Sequence, residues 1–147
     1  MNLDGSGQTV ALVELDGFFQ NDIAAYETKA GLPSLVPTVV TVGSFNGMPS
    51  TNSDSVSEVS LDIEMAISMA PGLNQMLVYE RLYPAAILNQ IATNNLARQI
   101  SCSWFIGRSA NYDTAFMTFA AQGQSFFQCS GLRQWHRRWT EVRWAVR

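Results

Sequence analysis

Histidine is nearly absent from this chain: its 147 residues include one, His136. A Ser-His-Asp or Cys-His mechanism is thereby nearly excluded on inventory. Cysteine is scarce too. Cys102 and Cys129 both fall in apolar, strand-like runs, and without metal-ligand spacing or partner histidines they make no zinc site and read as buried free thiols. No apolar run reaches the roughly 18 residues of a membrane span. The opening Met-Asn-Leu-Asp-Gly-Ser-Gly carries no charged-then-apolar leader and reads as the start of a domain whose upstream part is missing. Gly5-Ser6-Gly7 precedes a strand and does not join strand to helix, so it is a lead-in and no phosphate loop. Repeats and low-complexity tracts are absent.

What is present suits one globular domain: 47% hydrophobic, 11% aromatic and 14% charged residues. Charge is unevenly spread. Residues 1–131 carry Lys29, Arg81, Arg98 and Arg108 against eleven acids, a net of −7. Residues 132–147 carry five arginines against Glu141, a net of +4, with three of the four tryptophans. The composition therefore divides the chain into 1–131 and a basic Trp/Arg-rich tail, 132–147.

The order of elements is regular. Gln8–Leu15 reads as a buried strand, with Glu14 out of character near its end. Asp16-Gly17 turns the chain, and Asn21 is placed to cap a helix over Asp22–Ala30 that stops at Gly31. Val36–Val42 is a second strand, with Pro37 at its beginning, and Gly43–Asp54 is a polar loop. Ser55–Met69 is a helix stopped by Ala70-Pro71-Gly72, and the third strand lies within Leu73–Glu80. Pro84 opens a helix to about Ala97, and Gln99–Ile106 is the fourth strand. Asp113 or Thr114 caps a helix through Ala121, Gly123 ends it, and Ser125–Cys129 is the fifth strand. Five strands alternating with four helices give an α/β class: a mainly parallel sheet with helices on both faces. Function then gathers at the carboxyl ends of the strands, near Glu14, the start of the Ser55 helix, Ser103-Trp104 and Ser130-Gly131.

The helix over Ser55–Met69 has two readings. Val59, Ile63, Ala66, Ile67 and Ala70 form a buried stripe, and Glu58 and Asp62 border it four residues apart, close enough to repel. Carboxylates so placed share a proton, one pKa raised and the other lowered. Alternatively, Ser55-x-x-Glu58 is a capping box and Asp62 a solvated surface acid.

Four pieces in order resemble the sedolisins, or serine-carboxyl peptidases, a family with a subtilisin-like fold. They are Gly7–Ala11 leading to Glu14-Leu15-Asp16-Gly17; the Glu58-x-x-x-Asp62 helix running to Ala70-Pro71-Gly72; Ser101-Cys102-Ser103-Trp104; and Phe126–Gly131. The resemblance covers about residues 5–131. It implies an incomplete subtilisin-like domain, the N-terminal part of a serine-type endopeptidase acting on proteins at acid pH. Glu58 would match the general base and Asp62 the acid hydrogen-bonded behind it. A carboxylate base works at acid pH, where histidine is protonated. Glu14 and Trp104 would match residues that orient the pair, although core packing explains Trp104 equally well.

The sequence also departs from the family. Where the pattern after Ser130-Gly131 has an oxyanion-forming aspartate, this chain has Leu132. Neither the nucleophilic serine in its Gly-Thr-Ser context nor the late calcium site has a counterpart, and Ser103 and Ser109 lack a nucleophile elbow. The resemblance therefore implies a chain with the base, no nucleophile, no metal or other cofactor, and no activity alone. Its partners would be a protein or peptide substrate in the intact family and the missing C-terminal part of the domain, with neither nucleic acid nor membrane. The family suggests secretion or another acidic compartment. The alternative is a noncatalytic α/β binding module. Its tail, with Leu132, Trp135, Trp139, Val142 and Val146 on one helical stripe, would engage a membrane or nucleic acid; a shifted reading frame is the other explanation of that tail.

Overall fold

Strand β1 (Thr9–Glu14) sends its side chains alternately to two faces, and this alternation divides the molecule into two cores. The structure, a computed structural model, describes residues 3–129. After β1 come α1 (Gln20–Ala30), β2 (Thr38–Thr41), α2 (Ser53–Met69), β3 (Gln75–Glu80), α3 (Pro84–Asn94), β4 (Gln99–Cys102), α4 (Ala110–Gln122) and β5 (Ser125–Gln128). The strands form one parallel sheet in the order β2-β3-β1-β4-β5. Ala11 and Val13 meet Leu77, Tyr79, Ile100 and Cys102 under α3 and α4. Leu12 meets Met76 and Val78 under α1 and α2. Glu14 shares the parity of Leu12, so it too lies on the α1/α2 side.

The α/β class expected from the sequence is the observed one. Val59, Ile63 and Ile67 of the expected stripe are fully buried, each contributing about 1.5–3 kcal/mol through loss of apolar surface to water. Ala66 packs against the same core half-buried. Leu12, Val78 and Met76 are the sheet residues that receive them.

Several element ends differ from the sequence reading. The capping box is absent: α2 begins at Ser53, and its cap is Asn52, whose side chain accepts from the backbone N–H groups of Asp54 and Ser55. Asparagine takes this role as readily as serine, and it comes three residues earlier. Glu58 is thereby released from any capping duty. Asn52→Ala is expected to cost about 1 kcal/mol in a urea titration and Ser55→Ala only a few tenths; equal effects would restore Ser55 as the cap.

Helix α1 starts at Gln20 after Phe19, without a side-chain cap, because the buried Phe18 anchors the incoming chain before Asn21 is reached. Ser109, and not Asp113 or Thr114, caps α4 by accepting from Asn111 N–H. Helix α3 stops at Asn94 because Asn95 adopts the left-handed conformation, φ 48°, that ends a helix. Strand β4 stops at Cys102, where Ser103 and Trp104 leave the sheet to bond acids on the α1/α2 side.

Candidate active site

The chain leaves β1 for β2 and β3 on one flank, then returns past β1 to β4 and β5 on the other. The carboxyl ends of β1 and β4 therefore border the switch point of the sheet, where open α/β sheets place their ligands. Glu14 closes β1; Ser103 and Trp104 follow β4. Helix α2 follows β2 and presents Glu58 and Asp62 from its first ten residues on the same side.

Glu14 is fully buried, and an indole serves one of its oxygens: Trp104 Nε1–H donates to Glu14 Oε2 at 2.7 Å. Ser103 Oγ–H donates to Asp62 Oδ1 at 2.6 Å. The remaining oxygens, Glu14 Oε1 and Asp62 Oδ2, are buried and receive no donor from any other group. The two carboxyls are hydrogen-bonded neighbours, which requires one proton between them. Burial, then the charge of Asp62, holds the Glu14 carboxyl well above the usual glutamate range, so that proton belongs to Glu14. The result is a chain of contacts: Trp104 to Glu14, Glu14 to Asp62, Asp62 to Ser103.

Glu58 stands at the outer end, half-buried. Burial and then the neighbouring Asp62 push its pKa up. Their coupling here is electrostatic; among the described residues Asp62 spends its hydrogen bonds on Ser103 and Glu14. Glu64, two residues beyond Asp62, faces α1 instead, where burial and Asp22 raise its pKa.

Of the residues singled out in the sequence, Glu14, Glu58, Asp62 and Trp104 come together. Leu132, Ser130-Gly131, His136 and the tail lie outside the described residues. Ser103 was dismissed as a nucleophile and not foreseen as a donor to Asp62; its place directly before Trp104, just past a strand end, was the available signal. Both thiols are free, as expected, although Cys129 is only half-buried. They also anchor the turn: Cys129 Sγ–H donates to Ser103 O at 2.8 Å and Cys102 Sγ–H to Trp104 O at 3.4 Å. Burial pushes the Cys102 thiol up to about 12, so it remains protonated. No group of three or more metal-ligating side chains occurs among the described residues.

No family model matches the chain. Two characterised proteins do: kumamolisin of Bacillus sp. (strain MN-32), 35% identical over 95 residues, and sedolisin of Pseudomonas sp. (strain 101), 28% identical over 141 residues. The solved Pseudomonas sedolisin, a serine-carboxyl proteinase complexed with two molecules of pseudo-iodotyrostatin, superposes with a TM-score of 0.71 at 25% identity over 85% of this chain. The chain is similar in both sequence and fold to the sedolisin–kumamolisin peptidases. It spans a minority of each relative: 17% of kumamolisin, 24% of sedolisin and 39% of the solved sedolisin chain. The first match takes in 62% of this chain and the second 84%. The five-stranded parallel sheet and its helices are thus the sedolisin fold in part. No helix among the described residues is long and apolar enough to cross a membrane.

Proposed function

We propose that this chain carries the base-bearing part of a serine-type endopeptidase that works on peptide substrates at acid pH. The observation that supports it most is the buried proton chain from Trp104 through Glu14 to Asp62, set behind the half-exposed Glu58. Glu58 is the general base, its affinity for a proton raised by burial and by the charge of Asp62. Glu14 and Trp104 fix the orientation of Asp62; Ser103 holds its other oxygen. A serine from beyond the described residues is the nucleophile in this reading, because Ser103 Oγ is already committed to Asp62 at 2.6 Å. The chain alone therefore hydrolyses no peptide bond.

The reading is tested by transplanting residues 5–129 into Pseudomonas sedolisin in place of the matching part, and assaying peptide hydrolysis near pH 4. The chimera is expected to be active, and Glu58→Gln within it to lose about 10²–10⁴ in kcat, the usual worth of a positioned general base. A folded chimera whose rate is indifferent to Glu58→Gln would remove Glu58 from the mechanism. Hydrolysis by the unmodified chain would refute the claim that it lacks a nucleophile.

A further inference from the structure

A second buried acid lies on the α1/α2 side and takes no part in the proton chain. Glu80 closes β3, in register with Glu14 of β1 and Thr41 of β2, and is fully buried. Neither of its carboxyl oxygens receives a hydrogen bond. What covers it is the segment 43–50 between β2 and α2. A Cβ on Gly47, whose φ is +72°, would lie 3.3 Å from Glu80 Oε2. That segment is irregular, contains a second left-handed glycine at Gly43 (φ +69°), and carries no titratable or charged side chain.

The segment is held down by Asp16, which follows β1. Asp16 Oδ1 accepts from Gly17 N–H at 2.8 Å and from Ser50 N–H at 2.9 Å, and Oδ2 accepts from Ser50 Oγ–H. Gly17 packs so tightly on the segment that a Cβ there would stand 2.7 Å from Gly47 O. Ser50 Oγ in turn accepts from Asn52 N–H, and Asn52 caps α2. One relay therefore runs from the covering segment to the start of the helix that carries Glu58.

The charges around Glu80 are unfavourable to its ionised form. Asp16 is the charge that bears on it. Thr41 faces it from β2 and Glu14 from β1, while Glu58 and Asp62 of α2 act on Glu14. The nearest cation in sequence, Arg81, lies against Gly43 with its guanidinium 5.9 Å from the centre of the Tyr83 ring.

We infer that Glu80 is a proton-dependent latch: neutral, it lets the 43–50 segment close over the end of β3, and ionised, beside Asp16 and without a donor, it drives that segment open. Opening is the available relief because the segment over Glu80 is irregular, and lifting it admits water to the carboxylate. Separation of Ser50 from Asp16 then loosens the cap of α2. The latch stands independently of the proposed peptidase reading; only its consequence for Glu58 rests on that reading.

Chymotrypsin cleavage after Phe45 in the full chain reads the latch without any peptidase activity. Cleavage, normalised to an unstructured peptide at each pH, is expected to rise about tenfold or more between pH 6.5 and 9.5, with its midpoint near the value of about 8 to which burial pushes Glu80. Glu80→Gln and Glu80→Met are expected to abolish the rise, Glu14→Gln to retain it, and Gly17→Ala to expose Phe45 at every pH. A flat wild-type profile would overturn the proposal, as would an undiminished rise in both Glu80 variants. Failure of both variants to fold at pH 6.5, where the proposal has Glu80 neutral, would overturn it as well.

Discussion

Acidification is expected to stabilise this protein, with the urea midpoint falling as pH is raised from about 4.5 to about 8. Glu14 and Glu80 are both buried on the sheet's α1/α2 side, and both bind a proton more tightly folded than unfolded. Between the ordinary value of 4.5 and the raised one, the folded protein holds protons that the unfolded chain has released. Stability is then full below about 4.5 and declines with rising pH, until for Glu80 the loss is complete near 8. Such a proton is worth about 1.4 kcal/mol per pH unit, which for Glu80 amounts to several kcal/mol, a large share of a domain's stability, and Glu14 adds to it in the same direction. Asp4 works in the opposite direction, its pKa lowered by Ser6, but it is at the surface and solvent screens it. A midpoint that is flat or rises between pH 4.5 and 8 would contradict the assignment of protons to these two acids.

Loss of the Trp104 side chain is the most damaging single substitution expected in the described site. Its ring packs against both cores, so Trp104→Ala removes contacts on each side of the sheet and is expected to cost about 3 kcal/mol, the low end for an aromatic because the residue is only half-buried. Trp104→Phe separates packing from bonding. It keeps most of the ring but leaves Glu14 Oε2 buried without its indole donor, at a cost of about 1–3 kcal/mol. The Trp104 bond lowers the Glu14 pKa, so its removal also lifts that pKa further and steepens the pH profile. Denaturation of both variants at two pH values checks this. A Trp104→Phe variant as stable as the parent, with an unchanged pH profile, would reduce Trp104 to a packing residue.

The class of fold was legible because buried strands and amphipathic helices differ in period, and glycine marks helix ends with unusual clarity here. Gly31 and Gly123 end α1 and α4 in the left-handed conformation, as the sequence suggested. Helix starts were less legible, since several polar residues compete for each cap: Asn52 took the role assigned to Ser55, and Ser109 that assigned to Asp113 or Thr114. Glu14 stood out as an acid in an apolar strand, and parity alone placed it under α2. The early end of β4 could not be read from QISCSWFI, because the pull of Asp62 and Glu14 on Ser103 and Trp104 is a tertiary effect. Glu80 escaped notice for a similar reason: it resembles an ordinary strand-ending acid until the 43–50 segment is seen above it.

Among the described residues, the first strand is the middle strand of the sheet. During synthesis β1 leaves the ribosome long before its neighbours, because Thr9 waits for Gln75 on one side and Val10 for Gln99 on the other. For that interval an apolar strand with two open edges stands unpaired, a period when aggregation competes with folding. The order of manufacture thus makes the nascent protein most vulnerable at its own centre, and a pause in translation before β3 would lengthen the exposure.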